Sequence, residues 1–175
     1  MQAVVFDLET TGLSAQRDAI LEIGAMVVND GQVSTEIFHA MVNPGRPIPF
    51  FITKINGIDD RMVRDARRIH EVLPEFLEFI AGRKLVAHNA NFDVGFIAAN
   101  AARLGLEAPV NATCTVELSR RIFPRERSHN LDAVAARLGL STNGTRHRAM
   151  ADVELTAQAF IAFERKLSNL AVTRA

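Results

Sequence analysis

Apolar positions along the chain recur with two different periods. Residues 2–8 (QAVVFDL) are mostly apolar and β-rich, the pattern of a buried strand. Residues 19–29 and 33–42 predict two further strands. Asn29-Asp30-Gly31 between them supplies residues suited to positive φ, so the pair reads as a hairpin. Pro44, Gly45, Pro47 and Pro49 break regular structure and predict a loop, and Asp59 and Asp60 open a polar turn able to cap a brief helix. From Ala66 to Ala81 the period changes. Ile69, Val72, Leu73, Phe76, Leu77 and Ile80 fall at helical spacing, with Gly82 as the stop. A short buried strand follows over 84–88 (KLVAH), then a helix over 92–104 ended by Gly105. Val110 to Thr115 predicts a last strand and Val116 to Phe123 a helix that stops before Pro124. Another helix spans 131–138 between Asn130 and Gly139, and a final one runs from about 149 to 167 after the polar loop 141–146.

Three strands joined by short turns imply an antiparallel meander, and later strands entered through helices imply parallel additions to the same sheet. No repeat, low-complexity tract or linker divides the sequence. The expectation is one α/β domain over residues 1–175, with an ordered core of about 2–168.

Composition changes this picture little: 48% hydrophobic and 23% charged residues are ordinary for a globular chain. Twenty basic residues balance twenty acidic ones, so no global positive field draws in a polyanion, and a nucleic-acid partner must be held by local clusters and bound metal. Cys114 is the only cysteine, which excludes an internal disulfide and a CxxC zinc site and suits a reducing compartment; it reads as a small core residue. There is no signal-peptide pattern at the start and no run of the roughly 20 apolar residues that a bilayer demands. A cytoplasmic protein without membrane contact is expected.

The candidate chemistry lies in carboxylates. Strand side chains alternate, so Asp7 and Glu9 share one face at the end of the first strand while Phe6 and Leu8 take the other. Two acids beside AVVF repel one another and are costly to desolvate, a penalty that a cation removes. Asp93 follows the apolar strand LVAH at the start of a helix, and Asp152 stands near the start of the last helix. Each acid alone is an ordinary first-turn residue. Beside the strand pair, they complete an all-oxygen set suited to Mg²⁺ or Mn²⁺ and not to zinc. Two such ions roughly 3.5–4 Å apart clamp the attacking and leaving oxygens of a phosphoryl displacement. His147 stands five residues before Asp152. On a continuous helix that offset is roughly 140°, so the two converge only if His147 lies on the loop before the helix, where a mobile histidine could act as a base.

FDLETTG (Phe6 to Gly12), HNANFD (His88 to Asp93) and HRAMAD (His147 to Asp152) resemble the three exonuclease motifs of the DEDD nucleases, histidine subtype. The likeness is greatest to the proofreading exonuclease of bacterial DNA polymerase III, and the motifs span nearly the whole chain. The resemblance implies an RNase H-like fold with a mixed five-stranded sheet, and a 3′→5′ exonuclease that releases nucleoside 5′-monophosphates. It implies Asp7, Glu9, Asp93 and Asp152 as ligands of two divalent ions, with His147 as general base. Less directly, it places Thr10 and Thr11 near the terminal nucleotide. It makes Ile55-Asn56-Gly57-Ile58 a loop that receives the last base, with Ile55 as a wedge and Asn56 toward the 3′-hydroxyl. Asn56 departs from relatives that carry histidine there. The implied partners are a DNA 3′ end, or RNA, and a DNA polymerase subunit; oligomeric state stays open.

Other features read as structural. Phe76, Phe79, Phe160 and Phe163 fit a core, and His88 and His129 fit local hydrogen bonding. Arg120, Arg121, Arg125 and Arg127 around Phe123-Pro124 read as a solvated surface two to one over a phosphate contact. Phe50-Phe51, in the proline-rich loop, is less readily assigned to the core, since exposed aromatics near a nucleotide pocket can stack on a base. Two alternatives stay open: an RNA exonuclease, and an inactive polymerase-associated binding module. The chain ends soon after the last helix at NLAVTRA, so a stand-alone enzyme and a domain of a larger protein are both compatible with it.

Overall fold

In the computed structural model, residues 2–108, 111–142 and 144–172 are described, the last three as backbone only. Strands β1 (Gln2–Thr10), β2 (Ile20–Asn29) and β3 (Gln32–Met41) form the expected antiparallel meander. Asp30 and Gly31, both at positive φ, make its second turn. Helices α1 (Phe50–Asn56), α2 (Asp60–Val63) and α3 (Ile69–Ile80) follow, then β4 (Lys84–Ala87), α4 (Ala90–Leu104) and β5 (Thr113–Cys114). Three helices close the chain: α5 (Thr115–Ile122), α6 (Leu131–Leu138) and α7 (Ala149–Val172). β4 pairs with β1, and β5 with β4, both in parallel, giving one mixed sheet in the order β3-β2-β1-β4-β5.

Apart from shifted helix ends, such as α7 running on to Val172, the structure differs from the sequence reading in the following places. Residues 50–56 form helix α1 where an irregular loop was expected; Gly57, in the left-handed conformation, ends it and returns its N–H to Thr53. α3 begins at Ile69 and not at Ala66, because Ala66 closes the turn of α2 by bonding to Val63 and Arg68 is extended. The last strand is only Thr113–Cys114; Val110 of its predicted span lies outside the described residues, as does Asn143 of the polar loop. Asp59 caps α2 as anticipated, accepting from the N–H groups of Arg61 and Met62.

Alternation along β1 divides the core into two layers. Val4, Phe6 and Leu8 pack against Val72, Leu73 and Phe76 of α3 and Phe96 and Ile97 of α4. Ala3 and Val5 face the other way, onto Val153, Ala157 and Phe160 of α7. Phe163 joins Val134 of α6 in a further cluster, and Phe79 packs on the first core, so all four phenylalanines of the sequence reading are packing residues. Cys114 is half-buried against the same core. Among the described residues no helix is long and apolar enough to cross a membrane.

By the same alternation Asp7 and Glu9 lie on the α7 face. Asp7 pairs with Gly24 of β2, and the start of α7 rests on that glycine. A Cβ built at Gly24 would stand 2.9 Å from the Ala149 carbonyl carbon and 3.1 Å from the Met150 nitrogen. Backbone on both sides leaves no room for relief. Gly24→Ala is expected to lower stability by about 1–3 kcal/mol, read as a shift of the urea midpoint.

Candidate active site

β1 runs five residues past the last one it pairs with β4, while on the β2 side it stays paired to its end at Thr10. Its ladder to β4 ends at Val5, and a register shift separates Glu9 from Thr10 on the β2 side. The Leu8 N–H therefore has no strand partner on the β4 side. Asp93, in the first turn of α4, fills the gap with Oδ1 at 3.1 Å. Asn89, in the left-handed conformation, makes the turn from β4 into α4 that brings Asp93 there. Asp93 is 2% exposed.

One carboxylate oxygen each from Asp7, Glu9 and Asp152 lie within 4.8 Å of one another. Asp93 stands beside this trio, bonded to the backbone between Asp7 and Glu9. The four acids share little solvent, and their protonation shows it. Burial, then repulsion from Asp93 and Glu9, holds the Asp7 carboxyl well above the usual carboxylate range. Burial likewise raises Asp93 despite its bond from Leu8. Glu9 is pushed up to about 7, by burial first, against the hydrogen bond from Asn56. The donor set is all oxygen, with neither thiolate nor imidazole in the trio, and so fits hard divalent cations.

His147 occupies the loop two residues before α7, exposed and at φ +60°. It makes no hydrogen bond to the four acids among the described residues. It stands close enough to Asp132 that its charge helps hold that carboxyl low, behind the larger effect of the bond from Arg146. Thr10 and Thr11 are buried, and both hydroxyls are engaged within the following loop: Thr10 donates to the Gly12 carbonyl at 2.6 Å, and Thr11 accepts from the Ala19 N–H at 2.9 Å. Asn56 is also buried. Its amide donates to Glu9 Oε2 at 3.3 Å, and its carbonyl accepts from the Ile58 N–H. Next to it Ile55 projects, 55% exposed, and Phe50 and Phe51 are more exposed still, on the first turn of α1. His88 bonds through Nδ1 to Thr115 Oγ1 at 2.8 Å, and burial lowers its pKa to about 4. His129 bonds to Ser119 and to the Glu126 carbonyl.

Sequence reasoning missed two residues of this neighbourhood. Arg146 ties Asp132 (Nε to Oδ1, 2.6 Å) to Asp152, placing a guanidinium at the edge of the acid cluster. Glu22, in register opposite Glu9 and only 1% exposed, is the second. It accepts two bonds from Arg148 at 2.9 Å, one from the Ala149 N–H at 3.1 Å, and contacts His39 at 2.7 Å. These bonds together outweigh burial and hold its carboxyl below the usual range. An acid inside the apolar run ILEIGAMVV was the available signal, since a buried carboxylate has to find a partner.

Comparison with known proteins gives the family. Residues 4–160 match the RNase T family model, described as exonuclease. A PolC-type DNA polymerase III of Caldanaerobacter subterraneus is 46% identical over 169 residues, which are 97% of this chain and 12% of that protein. Its counterpart in Thermotoga petrophila is 40% identical over 98% of this chain and again 12% of the relative. The chain thus spans about an eighth of the length of these curated relatives. Exonuclease X, solved with 5′-overhanging duplex DNA, superposes at TM-score 0.76 with 31% identity, covering 94% of this chain and 92% of that one. The nuclease domain of 3′hExo, a DEDDh family member bound to rAMP, gives 0.81 at 17% identity over 94% and 92% of the two chains, a likeness of fold. The RNase H-like sheet and the three motifs thus have one origin: the chain belongs to the RNase T exonuclease family and is a 3′→5′ exonuclease.

Proposed function

We propose that this chain removes nucleotides from the 3′ end of single-stranded or frayed DNA, releasing nucleoside 5′-monophosphates in proofreading or repair beside a DNA polymerase. The observation that carries the reading is the cluster at the tip of β1. Asp7, Glu9 and Asp152 crowd within 4.8 Å and Asp93 closes the same strand end, an arrangement that cation-free water stabilises poorly. DNA as substrate is supported by the PolC-type DNA polymerase III relatives and by the exonuclease X complex.

In this reading Asp7, Glu9, Asp93 and Asp152 hold two Mg²⁺ or Mn²⁺ ions. Bound there, such ions offset the carboxylate repulsion and stabilise charge on the phosphoryl group. His147, exposed on its loop, takes the proton from the attacking water as general base. Asn56 orients Glu9 through its amide, and its role toward the 3′-hydroxyl runs through that contact. Ile55 wedges against the terminal base, which has to leave its stack to enter. Thr10 and Thr11 shape the nucleotide pocket through their backbone, since their hydroxyls hold the 10–19 loop.

On 5′-labelled single-stranded DNA with Mn²⁺, the chain is expected to give a ladder shortening from the 3′ end, and on 3′-labelled DNA an immediate mononucleotide. Parallel RNA oligomers report sugar preference. His147→Ala is expected to lower kcat by about 10²–10⁴-fold, the usual contribution of a positioned base, while calorimetry still shows Mn²⁺ uptake. Asp7→Asn is expected to lose both turnover and uptake. Wild-type-like turnover by Asp7→Asn would remove that residue from the mechanism.

The acids also predict a pH effect on stability. Glu9 binds its proton more tightly folded, at about 7, than at its ordinary value of 4.5. Its contribution therefore favours the folded state at low pH and is lost as pH rises across that window. Glu9→Gln is expected to stabilise the metal-free protein by about 2 kcal/mol more at pH 8 than at pH 5. Urea unfolding at the two pH values checks this, and saturating Mn²⁺ is expected to abolish the gain.

A further inference from the structure

A groove of about 630 Å³ opens on the β4–β5 side of the acid cluster. His88 and Asn89, at the carboxyl end of β4, form its inner end; Arg120 of α5 and Arg127 and His129 of the following loop form its outer wall. Arg120 and Arg127 are exposed and make no ion pair among the described residues. The acid that lines the groove, Glu126, is paired with Arg137 at 3.1 Å, so the wall presents net positive charge. The inner end adjoins the reacting region: Asp132, bonded to Arg146, lies within electrostatic range of both His88 and His147.

Sheet order gives the groove its meaning. Asn56, at the end of α1, reaches the acids from the α1 side through its bond to Glu9. The groove lies beyond β1 on the opposite side, past β4. A strand whose terminal nucleotide sits at Asn56 and whose scissile phosphate lies over the acids has to continue away from α1. The groove, roomy and cationic, is the feature found there.

We infer that this groove is the track for the 5′-ward part of the single-stranded substrate, with Arg120 and Arg127 contacting the phosphates upstream of the scissile one. The inference deepens the proposed function and rests on it. The contacts carry charge and no base readout, so they act on affinity and leave sequence preference unchanged. They are also remote from the scissile bond, so a small substrate that ends at its own phosphate does not meet them.

The test compares dT12 with the p-nitrophenyl ester of thymidine 5′-monophosphate, both with Mn²⁺. In the Arg120→Gln/Arg127→Gln variant, KM for dT12 is expected to rise about tenfold with kcat little changed. The slope of log(kcat/KM) against log salt is expected to become shallower by about 1.4, from about 0.7 per single-strand phosphate contact. Hydrolysis of the ester is expected to stay at the wild-type rate, which separates lost strand contacts from a damaged site. Arg165→Gln, beside Gly31 at the far end of the sheet, controls for net charge and is expected to change none of these. An unchanged KM and salt slope in the double variant would overturn the track while leaving the exonuclease reading intact. A wild-type protein inert on both substrates would overturn that reading and the track with it.

Discussion

The start of α7 is fixed on the sheet by one buried carboxylate. Glu22 holds the Arg148 guanidinium with two bonds and the Ala149 N–H with a third, from near the start of β2, the strand next to β1. A charge this deep is tolerable only when fully partnered, and the partners it finds are the residues that begin α7. Gly24, two positions on, lets the helix backbone come down onto the strand. Because Glu22 pairs with Glu9 and Gly24 with Asp7, this contact also fixes where Asp152 meets the two acids of β1. The ion pair, the glycine and the acid cluster form one continuous piece of geometry.

The opposite edge of the cluster is made differently. β1 outruns β4, and the backbone N–H left over at Leu8 is satisfied by a side chain, Asp93, and not by another strand. The sheet is thereby parted at its carboxyl end, where open α/β sheets present their ligand crevices. Asp93 serves the backbone with one oxygen while its charge adds to the repulsion on Asp7. Local folding demands and the cluster's electrostatics thus act on the same carboxyl group. They pull its proton affinity in opposite directions, and burial decides the outcome.

Much of this was legible in the sequence because it rests on period and alternation. QAVVFDLET, as a strand, puts Asp7 and Glu9 on a common face, and the loop-like residues before α7 do hold His147 outside the helix. Helix α1 was hidden for a physical reason. Phe50, Phe51 and Ile55 point outward while Asn56 is buried, so its apolar pattern is inverted relative to a helix that packs by its hydrophobic face. The two-residue strand β5 is too short to carry a period. Glu22 left a local signal, an acid in an apolar run, but its partners lie 126 and 127 residues away; Arg146 has partners 14 and 6 residues away, offsets that in a loop carry no period. The arginine groove is likewise a product of tertiary placement: four arginines around one proline look the same whether they line a groove or face open water.

His147 adopts a backbone conformation in the left-handed region, φ +60°, that glycine enters without steric conflict. An imidazole there costs the native state roughly 1 kcal/mol relative to a residue lacking Cβ. Packing gives nothing in return, because the side chain is exposed. In the proposed reading, with His147 as the general base, thermodynamic optimisation and chemistry disagree at this position: a library screened only for heat resistance would be enriched in sequences that no longer carry the imidazole.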